Sequence, residues 1–321
     1  RRRRNIDVEV ELNEIIEDAT KPWEEMEMCQ SDATQYRAVV ARCNFLSIDR
    51  PDIMFASKEC SRCMSKPLNG DWEPLKRLGR YLLSKPRVVH MFRWQDKPNF
   101  LSAFSDSNWA GCHKTRKSTS GACFMNGAHL IKAYSKTQAN IALSSGEAEF
   151  YSMVHATSEA LGLRAMTEDY EDPLDPWLYV DASAAIGVAQ RTGLGKIRHL
   201  ETGSLWLQQA VKNGKVGILK IKGTENPSDL MTKFTDLATL DKLCGIMGLI
   251  VRGGRAASAP EMAKHAQAGS KDSEVNCIDD YSSEIGPGSD RDDDNNDDSD
   301  DGSPKDPSSD SEGSASSPRV G

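Results

Sequence analysis

The stretch that most constrains the fold covers residues 103–121, AFSDSNWAGCHKTRKSTSG, and its centre is the carboxylate of Asp106. Apolar residues precede this acid, whereas Asn108 and Gly111 follow it. Apolar residues that give way to turn-forming residues are typical of a strand that ends in a turn. The pattern therefore predicts a strand that carries an acid at its tip.

Three later segments also place acids at predicted element boundaries: SSGEAE at 144–149, LYVD at 178–181 and NPSD at 226–229. Acids gathered from separate elements onto one spot would repel one another unless a divalent cation neutralised them. The arrangement predicts a site for a hard metal ion that prefers oxygen ligands.

Five strings follow one another along the middle of the chain: SDSNWAGCHKTRKSTSG, SKTQANIALSSGEAEFYSM, YVDASAAIGVA, RHLETGSLWLQQAVKNGKV and ENPSDLMTKF. In this order they resemble the ribonuclease H domain that ends the Pol polyprotein of copia-type LTR retrotransposons. The resemblance covers about 140 residues, the size of one ordinary domain. It implies an α/β, ribonuclease H-like fold in which helices flank a mixed five-stranded sheet.

The resemblance implies four catalytic, metal-binding carboxylates: Asp106, Glu149, Asp181 and Asp229. They would hold two Mg²⁺ ions, with Mn²⁺ as the expected substitute, and hydrolyse the RNA strand of an RNA/DNA hybrid. Glu147 remains the substitute for Glu149. A helix dipole favours acids in a first turn, so a purely structural explanation remains open for either glutamate. Helix capping alone remains the alternative explanation for Asp181 and Asp229.

Eight further residues are candidates for contact with nucleic acid: Arg116, Lys117, Ser118, Thr119, Ser120, Asn140, Arg198 and His199. Hydroxyl and amide groups suit the 2′-hydroxyls of the minor groove, and basic groups suit phosphates. Each polar residue could equally be an ordinary surface residue, and His199 could order its loop instead. The segment Lys222–Glu225 contains no histidine, although many ribonucleases H carry one in the loop before the last acid.

Residues 31–98 are predicted to form a small helical connector. Tyr36, Val40 and Cys43 recur at helical spacing, a second helix starts with Asp52 as predicted N-cap, and a third covers residues 72–82. This part resembles the region between the reverse-transcriptase thumb and ribonuclease H, and it is expected to pack without chemistry of its own. Polymerase activity is not predicted, because the sequence lacks a paired-aspartate strand turn.

The domain itself is predicted to cover residues 99–242. Strands are expected at residues 100–105, 121–125, 129–134, 177–180 and 216–221, with residues 141–143 prolonging the third. Helices are expected after a Ser144 or Ser145 cap, at 182–190 and at 229–240. The dipeptide Asn126-Gly127 predicts a tight hairpin.

The net negative charge of the chain is concentrated in its C-terminal part. The formal net charge is −8, and from Ser258 onward 17 acids stand against 5 bases, which leaves the rest at about +4. A mildly basic body suits a polyanionic partner. Residues 243–321 are predicted to form a disordered acidic tail rich in Ser, Gly and Asp, and residues 1–30 a poorly defined N-terminal fragment.

The cysteines and the hydropathy pattern predict the compartment. Eight cysteines without a regular framework favour reduced thiols and an intracellular location, cytoplasmic or nuclear. Cys60 and Cys63 form a CxxC pair, which we interpret as two helix-face cysteines because no second ligand pair stands at zinc spacing. No apolar run reaches membrane-spanning length. The opening Arg1–Arg4 could be a nuclear-address or nucleic-acid patch or an accident of sequence.

The primary hypothesis is therefore a retrotransposon-derived ribonuclease H that acts on RNA/DNA hybrids beside other Pol domains, without a membrane. The alternative is a catalytically decayed or domesticated module that binds nucleic acid without cutting it, and a third is an inert structural fragment. The intact acids favour the enzyme, whereas the lack of a polymerase signature favours decay.

Overall fold

The computed structural model describes residues 22–195, 199–200 and 202–254. In these ranges the main elements are α1 (Gln30–Ser47), α2 (Met54–Ser61), α3 (Trp72–Ser84), β1 (Arg87–His90), β2 (Phe100–Asn108), β3 (Thr119–Asn126), β4 (His129–Thr137), α4 (Ser145–Asp169), β5 (Asp175–Val180), α5 (Ser183–Gln190), α6 (Trp206–Lys212), β6 (Gly217–Lys220), α7 (Leu237–Ile246) and β7 (Leu249–Arg252). Short 3-10 helices include Pro51–Ile53, Thr202–Leu205 and Pro227–Met231. No described helix has the length and apolar character needed to cross a membrane.

Five strands form one mixed sheet in the order β4-β3-β2-β5-β6. β2, β3 and β4 are antiparallel neighbours, whereas β5 pairs in parallel with β2 and β6 in parallel with β5. Gly127 has a φ of +61°, which is the backbone conformation that the tight hairpin between β3 and β4 needs. The predicted ribonuclease H-like fold, a mixed five-stranded sheet with flanking helices, is confirmed.

Hydrophobic residues cover both faces of the sheet. On β3, Ala122 and Phe124 pack into a core that contains Phe150 and Met153 of α4. The alternate residues of β3 face a second core with Met231 and Leu243. Because successive strand residues point to opposite faces, β3 is fully buried between two layers. The 3-10 helix Pro227–Met231 is thereby held against the sheet.

The connector helices α1, α2 and α3 have a core of their own. Tyr36, Val40, Ile53, Leu75 and Leu78 are buried within it. Cys60 belongs to this core as well, and its carbonyl accepts a hydrogen bond of 2.8 Å from the Tyr36 hydroxyl. Cys60 is therefore a helix-face cysteine, as the sequence predicts, whereas Cys63 lies in the turn after α2, which ends at Ser61.

Asp52 does not cap α2, contrary to the sequence prediction. The N-cap of α2 is Ile53, and the Asp52 carboxylate accepts hydrogen bonds from Arg50 and from the Tyr81 hydroxyl, at 2.7 Å each. A buried guanidinium requires an acid partner, and this requirement outweighs the local capping preference.

The predicted last helix over residues 229–240 is also wrong in its extent. The chain forms the 3-10 helix Pro227–Met231, breaks, and starts α7 at Leu237 with Asp236 as N-cap. The Asp236 side chain accepts a hydrogen bond of 2.9 Å from the backbone N–H of Thr239. This cap defines a new helix start, so the apolar spacing that predicted one helix spans two elements.

Residues 141–143 form a loop and do not prolong β4, which ends at Thr137. The Ala142 carbonyl accepts a hydrogen bond of 3.0 Å from the Trp109 indole. The Leu143 N–H donates to Glu147 Oε2 at 3.0 Å. These side-chain contacts satisfy backbone groups that a strand would have paired with a neighbour.

The packed chain extends beyond residue 242, so the predicted tail boundary was placed too early. Leu243, Cys244, Met247 and Leu249 are buried, and β7 pairs with β1 in an antiparallel two-stranded sheet. The rest of the predicted tail, from residue 255, lies outside the described residues, as does Arg1–Arg4. The domain boundary at residue 98 remains a prediction.

A substitution at Gly121 tests the contact between β3 and the 3-10 helix. A Cβ at this position would lie 2.5 Å from Met231 Cβ and 2.6 Å from Thr232 Cγ2. We expect Gly121→Ala to lower the free energy of unfolding by about 1–3 kcal/mol, because overpacking displaces that segment. The measurement is denaturant unfolding followed by circular dichroism.

The matched control is Gly162→Ala, in the middle of α4, where an added Cβ meets nothing within 4 Å. Alanine is the better helix former by roughly 0.5–1 kcal/mol, so this variant should be neutral or more stable. Equal stability changes in the two variants would contradict the prediction.

Candidate active site

Three carboxylates meet at one edge of the central sheet. Asp106 lies near the end of β2, Asp181 directly follows β5, and Glu149 lies in the N-terminal part of α4. Because β2 and β5 are parallel neighbours, their C-terminal ends lie side by side. One carboxylate oxygen from each of the three acids lies within 4.8 Å of the others.

The fourth acid, Asp229, reaches the same place from the 3-10 helix Pro227–Met231. Lys233 Nζ lies 2.9 Å from Asp229 Oδ2 and 4.0 Å from Asp106 Oδ2, and so links the two acids. The Thr232 hydroxyl donates a hydrogen bond to Asp106 Oδ2 as well. Asn226 fixes the segment, since its amide donates to the Ser105 carbonyl at 3.0 Å.

The geometry distinguishes the two glutamates of α4. Glu149 Oε1 accepts a hydrogen bond of 3.2 Å from the Ser107 N–H, beside Asp106. Glu147 turns away and accepts from the Leu143 N–H and from His199 Nε2, the latter at 2.8 Å. Ser144 is the N-cap, with its hydroxyl accepting from the Glu147 N–H. Glu147 is therefore engaged in holding loops, and Glu149 faces the other acids.

The surroundings favour the neutral forms of these acids when no cation is bound. Burial, with the negative charge of Asp229, raises the pKa of Asp106 to about 7. Burial, with the charges of Asp106 and Asp181, raises the pKa of Glu149 to about 8. The pKa of Asp229 is also raised, chiefly by burial. Desolvation and like charge both oppose ionisation, so a cation at this place would bind to the carboxylates with release of protons.

Two oxygen atoms of the site fit a metal ion directly. Glu149 Oε2 and Asp229 Oδ1 are buried and have no hydrogen-bond partner. Buried polar atoms in proteins are nearly always paired, so unpaired carboxylate oxygens in an acidic cluster call for a ligand. An all-carboxylate donor set suits hard cations such as Mg²⁺ and Mn²⁺.

The three residues Ser118, Thr119 and Ser120 are buried, contrary to their prediction as nucleic-acid contacts. Their hydroxyl oxygens accept hydrogen bonds from the Ala110 N–H, Lys58 Nζ and Gln138 Nε2, respectively. Thr119 and Ser120 lie on β3 and Ser118 directly precedes it, and all three side chains join neighbouring elements. We therefore no longer expect Ser118 and Thr119 at the interface, whereas Ser120 also lines the cavity that contains Lys136 and stays a candidate.

The other predicted contacts have different positions. Arg116 is exposed at a positive φ of 55° in the loop between β2 and β3, with Lys117 beside it, and Asn140 is exposed after β4. His199 pairs with Glu147, which agrees with the loop-ordering alternative. Arg198 lies outside the described residues.

The sequence analysis missed a cavity of about 200 Å³ that is lined by Ser120, the β3 partner of Ser107, which follows Asp106. Its lining includes Lys136, Asn140, Tyr151, His155 and Ser204. Lys136 Nζ lies 3.1 Å from His155 Nε2, and burial together with Lys136 lowers the pKa of His155. Lys136 and His155 lie on different elements, so no local pattern could have paired them.

Lys233 was missed although a local signal existed. It stands four residues after Asp229, a spacing at which an acid and a lysine commonly pair on one turn. The sequence prediction for the segment ENPSDLMTKF concerns only its acid, Asp229.

Comparison with known proteins shows what this chain is similar to. No protein-family model matches it. The retrovirus-related Pol polyprotein from transposon RE2 of Arabidopsis thaliana is 29% identical over 207 residues, which are 63% of this chain. The chain resembles the Pol polyproteins of copia-type retrotransposons over this range. It spans only 14% of the length of the RE2 Pol polyprotein.

Two further likenesses concern shorter proteins. The secreted RxLR effector protein 161 of Plasmopara viticola is 35% identical over 130 residues, 40% of this chain and 91% of that protein, and the two belong to one sequence family. A solved structure of LC11-RNase H1 in complex with an RNA/DNA hybrid is 11% identical and covers 41% of this chain and 93% of that one, with a TM-score of 0.29. We base the fold assignment on the strand order and not on this score.

The raised pKa values predict how stability depends on pH. An acid whose folded-state pKa is raised stabilises the fold below its ordinary pKa, near 4, and loses that contribution as pH rises through the folded-state value. Without divalent cations, the free energy of unfolding should therefore fall between pH 5 and pH 8.5 by a few kcal/mol more in the wild type than in Asp106→Asn. Melting temperatures in EDTA measure this.

Millimolar Mg²⁺ should raise the melting temperature of the wild type at pH 8.5, because ligand binding stabilises the folded state. The melting temperature of Asp106→Asn should change little. Parallel pH profiles for the two proteins in EDTA would rule out a raised pKa for Asp106.

Proposed function

We propose that this chain is a metal-dependent ribonuclease that hydrolyses the RNA strand of RNA/DNA hybrids, as the ribonuclease H part of a copia-type Pol polyprotein. The observation that carries the proposal is the convergence of Asp106, Glu149, Asp181 and Asp229 from four separate elements, with two buried carboxylate oxygens unpaired. The similarity to Pol polyproteins supports it.

Each acid has a distinct position in this proposal. Asp106 lies between the Glu149–Asp181 side and the Asp229 side, so it is the carboxylate that both halves of the site share. Two divalent ions held by these residues would activate a water molecule and stabilise the departing 3′ oxygen. No side-chain nucleophile is then required, and the expected products carry 3′-hydroxyl and 5′-phosphate ends.

The cavity that Lys136 lines is the proposed contact for a phosphate of the hybrid backbone. Ser120 lines this cavity and pairs with Ser107, the residue after Asp106. The Lys136 ammonium provides positive charge, and hydroxyl and amide groups of Ser204 and Asn140 stand near it. A phosphate bound there would fix the position of the duplex relative to the carboxylates.

The proposed partners are an RNA/DNA hybrid and the other domains of a Pol polyprotein, and the proposed compartment is cytoplasmic or nuclear. α1, α2 and α3 pack together upstream of the nuclease fold, and Lys58 of α2 donates to Thr119 of β3 at 2.6 Å. This contact supports a structural role for the connector.

Cleavage of a labelled RNA/DNA hybrid in Mg²⁺ tests the proposal. We expect Asp106→Asn to lower the cleavage rate at least about a hundredfold, because cation-mediated stabilisation of the transition state amounts to several kcal/mol. Glu159→Gln is the control, since this acid pairs with Lys132 on the surface. Hybrid binding without cleavage by the wild type would favour the decayed binding module instead.

Lys136→Met tests the phosphate contact separately. We expect weaker hybrid binding. The slope of log K against the logarithm of the salt concentration should be smaller in magnitude by about 1, because one phosphate contact is lost. Fluorescence anisotropy at several salt concentrations measures both. Lys132→Met serves as the control, because Lys132 lies four residues earlier on β4 and pairs with Glu159. Identical slopes for the wild type and both variants would exclude the cavity as a phosphate site.

A further inference from the structure

Lys233 brings a positive charge into the acidic cluster. Its ammonium lies 2.9 Å from Asp229 Oδ2 and 4.0 Å from Asp106 Oδ2. Glu149 and Asp181 form the close group with Asp106, whereas the ion pairs of Lys233 are with Asp229 and Asp106. Among the described residues, Lys233 therefore balances the charge of the Asp106–Asp229 half of the site at short range, and the charge of Asp181 acts on its ammonium from farther away.

The backbone around Lys233 is fixed, whereas its side chain is accessible. The Lys233 N–H donates to the Asp229 carbonyl at 3.1 Å, and Thr232 is buried against Asp106. The Lys233 side chain itself is 47% exposed. Because the four-carbon stem of a lysine is long and flexible, the Lys233 ammonium can move toward solvent by rotation of its side chain, without any change of the backbone.

A divalent cation bound between Asp106 and Asp229 would compete with this ammonium. Asp229 Oδ1 is unpaired, whereas Oδ2 of the same carboxylate holds the ammonium. A cation held by this carboxylate would therefore lie a few ångström from a positive charge, and the two would repel each other in a partly buried site. Movement of the ammonium toward solvent would relieve this repulsion. At the Asp106–Glu149–Asp181 group no such displacement is needed.

We propose that Lys233 is a positioning residue that acts as a built-in counter-ion for the Asp106–Asp229 half of the site and imposes an order of cation binding. The Asp106–Glu149–Asp181 group is filled first, and the second cation binds more weakly because it displaces Lys233. This inference rests on the proposed function for the existence of the two cation positions. It goes further in assigning the difference between them to one lysine.

Calorimetric titration of the cation-free protein with Mn²⁺, in the absence of nucleic acid, tests the proposal. We expect the wild type to show one stronger and one weaker site. Lys233→Met should increase the affinity of the weaker site about tenfold, because the competing charge is removed. Lys233→Arg, which keeps the charge, should retain two sites of unequal affinity.

Lys242→Met is the matched control. Lys242 belongs to the next helix, and its ammonium donates to the Thr224 carbonyl at 2.7 Å, outside the acidic cluster. Its titration should match the wild type. The melting temperature of each variant in EDTA verifies that all four proteins are folded.

The outcomes separate this inference from the proposed function. Equal Mn²⁺ affinities in the wild type and Lys233→Met overturn the inference, even if the wild type cleaves hybrid. The tenfold gain in a chain that does not cleave hybrid supports the inference and counts against the nuclease. Absence of any Mn²⁺ binding overturns both.

Discussion

Electrostatic repulsion among four neighbouring carboxylates is the constraint on which the rest of this structure depends. Asp106, Glu149 and Asp181 lie within a few ångström of one another, and Asp229 joins them. Such a cluster is unfavourable in a folded protein unless protons or cations neutralise it. The two-sided hydrophobic packing of β3, together with the contacts of Thr232 and Lys233, stabilises a local arrangement that the acids alone would disperse.

The sequence was informative where local pattern and tertiary structure agree. Asn126-Gly127 predicted a hairpin, and Ser144 was one of two predicted caps for α4, because short-range backbone chemistry decides both. The acids were predictable as a set because each stands near the boundary of a predicted element. Their closeness follows from the parallel pairing of β2 and β5, which no local pattern encodes.

The failed predictions have tertiary causes. Ser118 and Thr119 looked like surface hydroxyls, but Thr119 lies on the buried strand β3 and Ser118 directly before it, and both hydroxyls accept hydrogen bonds from other parts of the chain. Asp52 looked like a cap, but the buried Arg50 takes its carboxylate. The Lys136–His155 pair joins a strand to a helix, so no local pattern could show it.

The pairing of β1 with β7 has a consequence for the biogenesis of the chain. These strands join residues 87–90 to residues 249–252, the first and last strands that the structure describes. Nearly the whole described chain must therefore be synthesised before β1 can pair with β7. Pairing between segments so far apart in sequence is slow. Until then β1 presents an unpaired edge, which nascent chains expose to chaperones and to association with other copies.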